Sequence, residues 1–179
     1  MGLDVTAKAL PTSRLSLQGG FEVLSTKFTN FQNAPISYLA PATCTPPAGP
    51  TGAPTGGTVA CVGDATGNQL LQSPKFTAFA AAQYEIPTGF GDFHAGLQYS
   101  YTASFAWEGD NRLQNPAHSL VNANLTWTSP SGAVELGVWV KNLADTQYSV
   151  NKGSLPFGDI TTDAPPRTFG IEAKVHFGG

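Results

Sequence analysis

Charge is scarce in this chain. Asp, Glu, Lys and Arg together make up 12% of the 179 residues, about half the usual share for a soluble globular protein. The net formal charge is -3 at pH 7, which predicts no nucleic-acid footprint, since that needs a clustered basic surface. No apolar run approaches the roughly 18 residues of a membrane helix, and helical periodicity is missing along the whole chain. The opening "MGLDVTAKAL" has no leader-like apolar stretch, so either Met1 opens a fragment or the mature numbering omits a leader. There is also no Ser-His-Asp spacing, phosphate loop or paired-carboxylate motif. The sequence therefore predicts no enzyme, no cofactor and no nucleic-acid partner.

What the chain does have is alternation with a period of two. The clearest case is "FHAGLQYSYTASF", where Phe93, Ala95, Leu97, Tyr99, Tyr101, Ala103 and Phe105 oppose His94, Gly96, Gln98, Ser100, Thr102 and Ser104. A strand sends successive side chains to opposite faces, so this is a strand with one apolar and one polar side. The same pattern runs through Leu3–Ala9, Leu15–Val23, Val121–Trp127, Val134–Lys141 and Arg167–Phe177. It also runs through residues 77–86, where Phe79 breaks the polar set. That makes about seven strands, many near the roughly 10 residues that span a bilayer when tilted. No helix separates them, so neighbours pair antiparallel in an up-and-down meander.

The connections alternate as well. "PTS", "TGFGD" and "PSG" are tight turns, whereas residues 32–73, 109–116 and 149–166 form long loops. All short turns then lie at one end of the sheet and all long loops at the other, the asymmetry of outer-membrane barrels. Aromatics mark both ends of the apolar face, with Phe93 and Phe177 near the short turns and Phe105 near the long loops. An ordinary soluble sandwich would carry more Lys and Glu on its wet side. The predicted class is therefore all-β, a segment of a transmembrane β-barrel in lipid.

Two stretches, "LVNANLTWTSPSGAVELGVWVKNLADTQY" and "PPRTFGIEAKVHF", resemble the C-terminal strands of TonB-dependent outer-membrane receptors. "GLDVTAKALPTSRLSLQGGFEV" and "GNQLLQSPKFTAFAAAQYEIP" resemble earlier hairpins of that family. The most specific residues are Asn142, Leu143, Asp145 and Tyr148, with Pro166 and Arg167 at the start of the last strand. The resemblance implies uptake of a scarce ligand of the siderophore, cobalamin or saccharide class, driven by the TonB complex through a plug. It implies that residues 1–179 are the last part of a barrel of about 22 strands, with no plug or TonB box, and not transport-competent alone. It further implies that Phe177 is the terminal aromatic read by the barrel-assembly machinery, although Gly178 and Gly179 follow it. The alternatives are a small barrel completed by oligomerising, or a soluble all-β module with an apolar pocket.

Few residues invite chemistry. Cys44 and Cys61 share a loop rich in Pro and Gly, and an even pair in an oxidising compartment favours a disulfide. Two Cys with no nearby His make a poor zinc site. His94 and His176 fall at the short-turn end but three strands apart, roughly 14 Å, and His118 falls at the other end, so no metal site is expected. Glu135, Trp139, Glu172 and Lys174 lie on the polar face and are the candidates for the barrel lumen. Glu108, Asp110, Asp159 and Asp163 sit in long loops without calcium-loop spacing.

Overall fold

The computed structural model describes residues 1–39 and 57–177. Its elements are β1 (Gly2–Thr12), β2 (Leu15–Leu24), β3 (Ala34–Leu39), β4 (Thr58–Gly63), β5 (Phe76–Thr88), β6 (Gly91–Thr102), β7 (Phe105–Ala106), β8 (Gln114–Asn115), β9 (His118–Thr128), β10 (Val134–Lys141), β11 (Ser149–Leu155), β12 (Gly158–Asp163) and β13 (Thr168–Val175). Seven of them form one antiparallel sheet in the order β1-β2-β5-β6-β9-β10-β13. These are the seven strands marked by alternation in the sequence, in the expected meander.

The register lines up like with like. One row across the sheet reads Ala9, Leu17, Ala82, Leu97, Ala123, Val140, Phe169. A second reads Ala95, Leu125, Val138, Ile171. The row between them reads Ser16, Gln83, Gly96, Asn124, Trp139, Gly170, and the row on the other side of the first reads Lys8, Gln18, Ala81, Gln98, Asn122. Directly paired residues share a face, so one side of the sheet is apolar and uncharged and the other is amide- and hydroxyl-rich. The apolar side is open: Leu97 is 50% exposed, Val138 51% and Ile171 87%. An apolar surface of this extent is far beyond the scattered patches of a water-facing monomer.

Two details differ from the sequence reading. The strand through residues 93–105 ends at Thr102; Ala103 N still donates to Phe76 O, and the chain leaves the sheet beyond it. Phe105 belongs to the small β7–β8 hairpin, where its ring meets Trp107 edge-on at 5.2 Å; it is not part of an aromatic band on the wall. The loop-end band is instead Phe21, Phe76 and Tyr101, with ring centroids 6.3 and 5.9 Å apart along the series. Phe79, which breaks the alternation, is paired with Gly20. Its ring lies over that glycine, where a Cβ would come within 2.7 Å of Phe79 Cε1.

The three long connections each contain a two-stranded hairpin: β3–β4, β7–β8 and β11–β12. The described parts of these connections hold the buried residues. Ala34, Cys61, Ala65 and Ala106 are the buried apolar residues among those described, and Thr58, Asn115, Asn142 and Ser149 the buried polar ones. All eight lie between sheet strands rather than in them.

Candidate functional site

The loop hairpins are tied together around Arg112. Its guanidinium grips the Asp159 carboxylate with both forks, Nη1 to Oδ2 and Nη2 to Oδ1, each at 2.7 Å. Nη2 also donates to Ser154 Oγ. This planar two-pronged match is what Arg offers and Lys does not. The hydrogen bonds from Arg112 hold the Asp159 carboxyl below its ordinary range, and the same contact raises the Arg112 pKa.

Acidic side chains extend the network. Glu108 Oε1 accepts from Ser154 N at 2.8 Å, and its Oε2 lies 3.2 Å from Ser154 Oγ. Asp110 accepts from its own neighbour Arg112 N through Oδ1 and from Ser37 N of β3 through Oδ2, both at 3.0 Å. Thr58 of β4 donates its hydroxyl to Leu155 O. Apolar packing adds a further seam: the rings of Phe28 and Phe31 meet at a tilt of 47°, centroids 4.7 Å apart, and sit against Gly109. Three segments distant in sequence thus form one body over the end of the sheet. Hydrogen bonds to charged groups contribute roughly 1.5–3 kcal/mol when shielded, enough to hold small hairpins that would be marginal alone.

The turn after β10 is a second construction. Asn142 and Asp145 adopt positive φ, 52° and 55°, a conformation that Asn and Asp tolerate better than other side chains. Asn142 Nδ2 donates to Thr146 O, and its Oδ1 accepts from Thr146 N, both at 2.9 Å. Asn142 N donates to Asn122 Oδ1 of β9. Asp145 Oδ1 accepts from Arg167 N at 2.8 Å, and Arg167 Nη1 donates to Leu143 O at 3.3 Å. Tyr148 stacks flat on His118, centroids 4.6 Å apart and planes 11° off parallel. The residues singled out in sequence around Asn142 and Arg167 therefore meet in space and join the top of β9, the end of β10 and the start of β13.

At the opposite end of the sheet, His176 Nε2 lies 3.0 Å from Glu135 Oε1 and Lys174 Nζ lies 3.0 Å from Glu172 Oε1. Trp139 lies over Gly170 on the same face, with Lys141 Nζ 5.5 Å from its ring centroid. Glu135, Trp139, Glu172 and Lys174 are thus together on the polar face of β10 and β13; Lys174 pairs with Glu172 and approaches Glu135, whereas Trp139 contacts Gly170 and Lys141. Phe177 follows β13 and is 90% exposed. Cys61 is buried in β4, and Cys44 lies outside the described residues. The described residues hold no group of three or more metal-ligating side chains. Sequence reasoning missed Arg112 entirely; the acidic clusters "EGDN" and "GDITTD" were visible without the cation that joins them.

A family model described as "TonB dependent receptor-like, beta-barrel" matches residues 15–143. Solved structures with similar architecture include the ferric yersiniabactin uptake receptor FyuA from Yersinia pestis, at 17% identity and a TM-score of 0.72, covering 98% of this chain and 23% of that one. The siderophore receptor PiuA from Acinetobacter baumannii gives 17% identity and 0.68, covering 96% and 21%. The ferric preacinetobactin receptor BauA from the same organism gives 13% and 0.52, covering 96% and 28%. The chain spans between a fifth and a third of the length of the receptors it matches.

Proposed function

Because the chain belongs to the TonB-dependent receptor β-barrel family, we propose that it is a stretch of barrel wall and extracellular cap in a receptor that imports a scarce ligand. It is a segment of outer-membrane barrel, and its apolar face meets lipid. The ligand class is the ferric siderophores before cobalamin or saccharides, in keeping with what the similar solved receptors are named for. A plug in the lumen would receive energy from the TonB complex, and the barrel-assembly machinery would insert the wall, with Phe177 as its terminal aromatic.

One observation supports this reading above the rest. The seven-stranded sheet carries no charge on its apolar face and, among the described residues, pairs with nothing beyond β1 and β13. In lipid an open edge leaves backbone groups unsatisfied at several kcal/mol each, and seven strands enclose too small a lumen for a plug. The sheet is then complete only with further strands.

The test is uptake by cells that make the protein. Under iron starvation, accumulation of labelled ferric siderophores, cobalamin and an oligosaccharide would be measured with and without the chain, and with and without an energised TonB complex. TonB-dependent accumulation of one class that vanishes with the chain is expected. Recovery of the chain in the soluble fraction, or uptake of every class unchanged by its removal, would overturn the proposal.

A further inference from the structure

We propose that the last strand, β13, is held in register on β10 by three separate locks, and that Asp145, Trp139 and Glu135 are the positioning residues that set it. The inference rests on the reading of the sheet as a membrane wall, where register decides which side chains meet lipid.

The need for such a device follows from the topology. Among the described residues β13 has one neighbour, β10, and pairs with it over eight positions from Lys141–Thr168 to Val134–Val175. A slip of one residue exchanges the two faces. Thr168, Glu172 and Lys174 would then point to lipid, and Phe169, Ile171 and Val175 to the lumen. A slip of two keeps the faces but displaces every partner and moves Phe177 along the barrel axis.

Each lock acts at a different height. At the loop end, the backbone N–H of Arg167, one residue before the first pair, is captured by Asp145 Oδ1 at 2.8 Å, and the Arg167 guanidinium reaches Leu143 O. The acceptor is immobile because Asp145 N is itself bound to Asn142 O and the turn is fixed to β9 through Leu143 N and Val121 O. In the middle, the Trp139 indole covers Gly170. A Cβ on that residue would lie 2.5 Å from Trp139 Cζ2, so a slip by two, bringing Thr168 or Glu172 beneath the ring, collides with it. At the short-turn end, His176 N donates to Ala133 O and its ring meets Glu135 Oε1 at 3.0 Å. The three contacts use different chemistry and agree on one alignment.

Cysteine pairs report the alignment directly. A Cβ at Gly137 would stand 3.7 Å from the Glu172 Cβ, within the span a disulfide requires. The pair G137C/E172C therefore reads the native register, and G137C/K174C reads a slip by two. Both would be made in the full chain, oxidised in outer membranes, and the linked peptides identified by mass. The native pair is expected to close and the slipped pair to stay open. Combining Asp145→Ala with Trp139→Ala should raise the slipped product at the expense of the native one by about fivefold. Asp145→Asn, which keeps both the acceptor oxygen and a side chain tolerant of positive φ, should restore the native product in the Trp139→Ala background. If the double variant fails to accumulate in membranes, accumulation should return with Asp145→Asn. An undiminished native link in the double variant, or no restoration by Asn, would overturn the proposal. Absence from the membrane of the G137C/E172C chain itself would instead strike the barrel reading.

Discussion

The wall and the cap of this molecule solve the burial problem in opposite ways. The seven-stranded wall has no interior of its own: Leu97, Val138 and Ile171 are half or more exposed, and their apolar environment is supplied by lipid. The cap is built from less regular sequence, yet it contains every buried side chain among the described residues, from Ala34 and Cys61 to Asn115 and Ser149. The wall is specified by a two-residue rhythm and a solvent, the cap by individual polar contacts. A substitution should therefore be judged in the wall by the face it lands on, and in the cap by the partner it loses.

The strongest way to break that contrast is a charge on the lipid face. Leu97→Arg or Val138→Arg should block membrane assembly, since Arg near the midplane of a barrel costs about 2–4 kcal/mol; Gln98→Arg, on the other face, should assemble. Equal membrane yields for the three variants would remove the distinction between faces. Next in size is the proposed Cys44–Cys61 bridge. Closing that loop should contribute about 3 kcal/mol by the chain-entropy argument. Thiol labelling of denatured, unreduced protein should find no free cysteine, and two labelled cysteines would refute the bridge.

Within the cap, Arg112→Met should loosen the β11–β12 hairpin by about 1.5–3 kcal/mol while leaving exchange protection in β5 and β6 unchanged. Amide exchange at residues 149–163 would show it, and a uniform loss across wall and cap would contradict the division. Acid probes the same contact more gently. The Asp159 carboxyl is depressed below its ordinary value of 3.8, so its contribution is complete above that value and is lost as the pH falls through the lower folded one. Protection of the hairpin should accordingly persist at pH 5 and decline only below about pH 4; decline between pH 7 and 5 would assign the effect to another group. The smallest effect belongs to the Glu135–His176 contact, whose histidine side chain is more than half exposed. Glu135→Gln should change overall stability by less than about 1 kcal/mol in a denaturant titration of the membrane-inserted protein.

The wall was legible in the sequence because its pattern is local: Phe93 to Tyr101 announces its faces without knowledge of any neighbour. The short turns were equally plain, and they put all three long connections at one end. The cap was not legible. Its hairpins are short and mixed in composition, and Arg112 meets Asp159 across 47 positions of sequence, a distance that no periodicity spans. Phe105 was misplaced for a related reason, since the alternation continues past Thr102, where the strand ends. The residues around Asn142 and Arg167 were recognised by resemblance, but what they do became visible only when Asp145 Oδ1 was found against Arg167 N. Phe79 broke the rhythm in sequence, and the absence of a side chain on its cross-strand partner Gly20 explains how the wall accommodates it.

The poverty of charge in the largest connection bears on how the protein reaches its place. In outer-membrane barrels the long loops end on the far side of the bilayer from the periplasm, so each must be carried through during insertion. Residues 32–73 contain a single ionisable acid or base of the Asp, Glu, Lys and Arg set, Asp64. Dragging an ion through a low-dielectric layer is far harder than dragging an amide or a hydroxyl. A passenger of Pro, Gly, Ala and Thr therefore presents a low electrostatic barrier, and the cations that could anchor it outside, Lys27 and Lys75, lie beyond both of its ends. The longest excursion of the chain is in this sense also the one most easily transported.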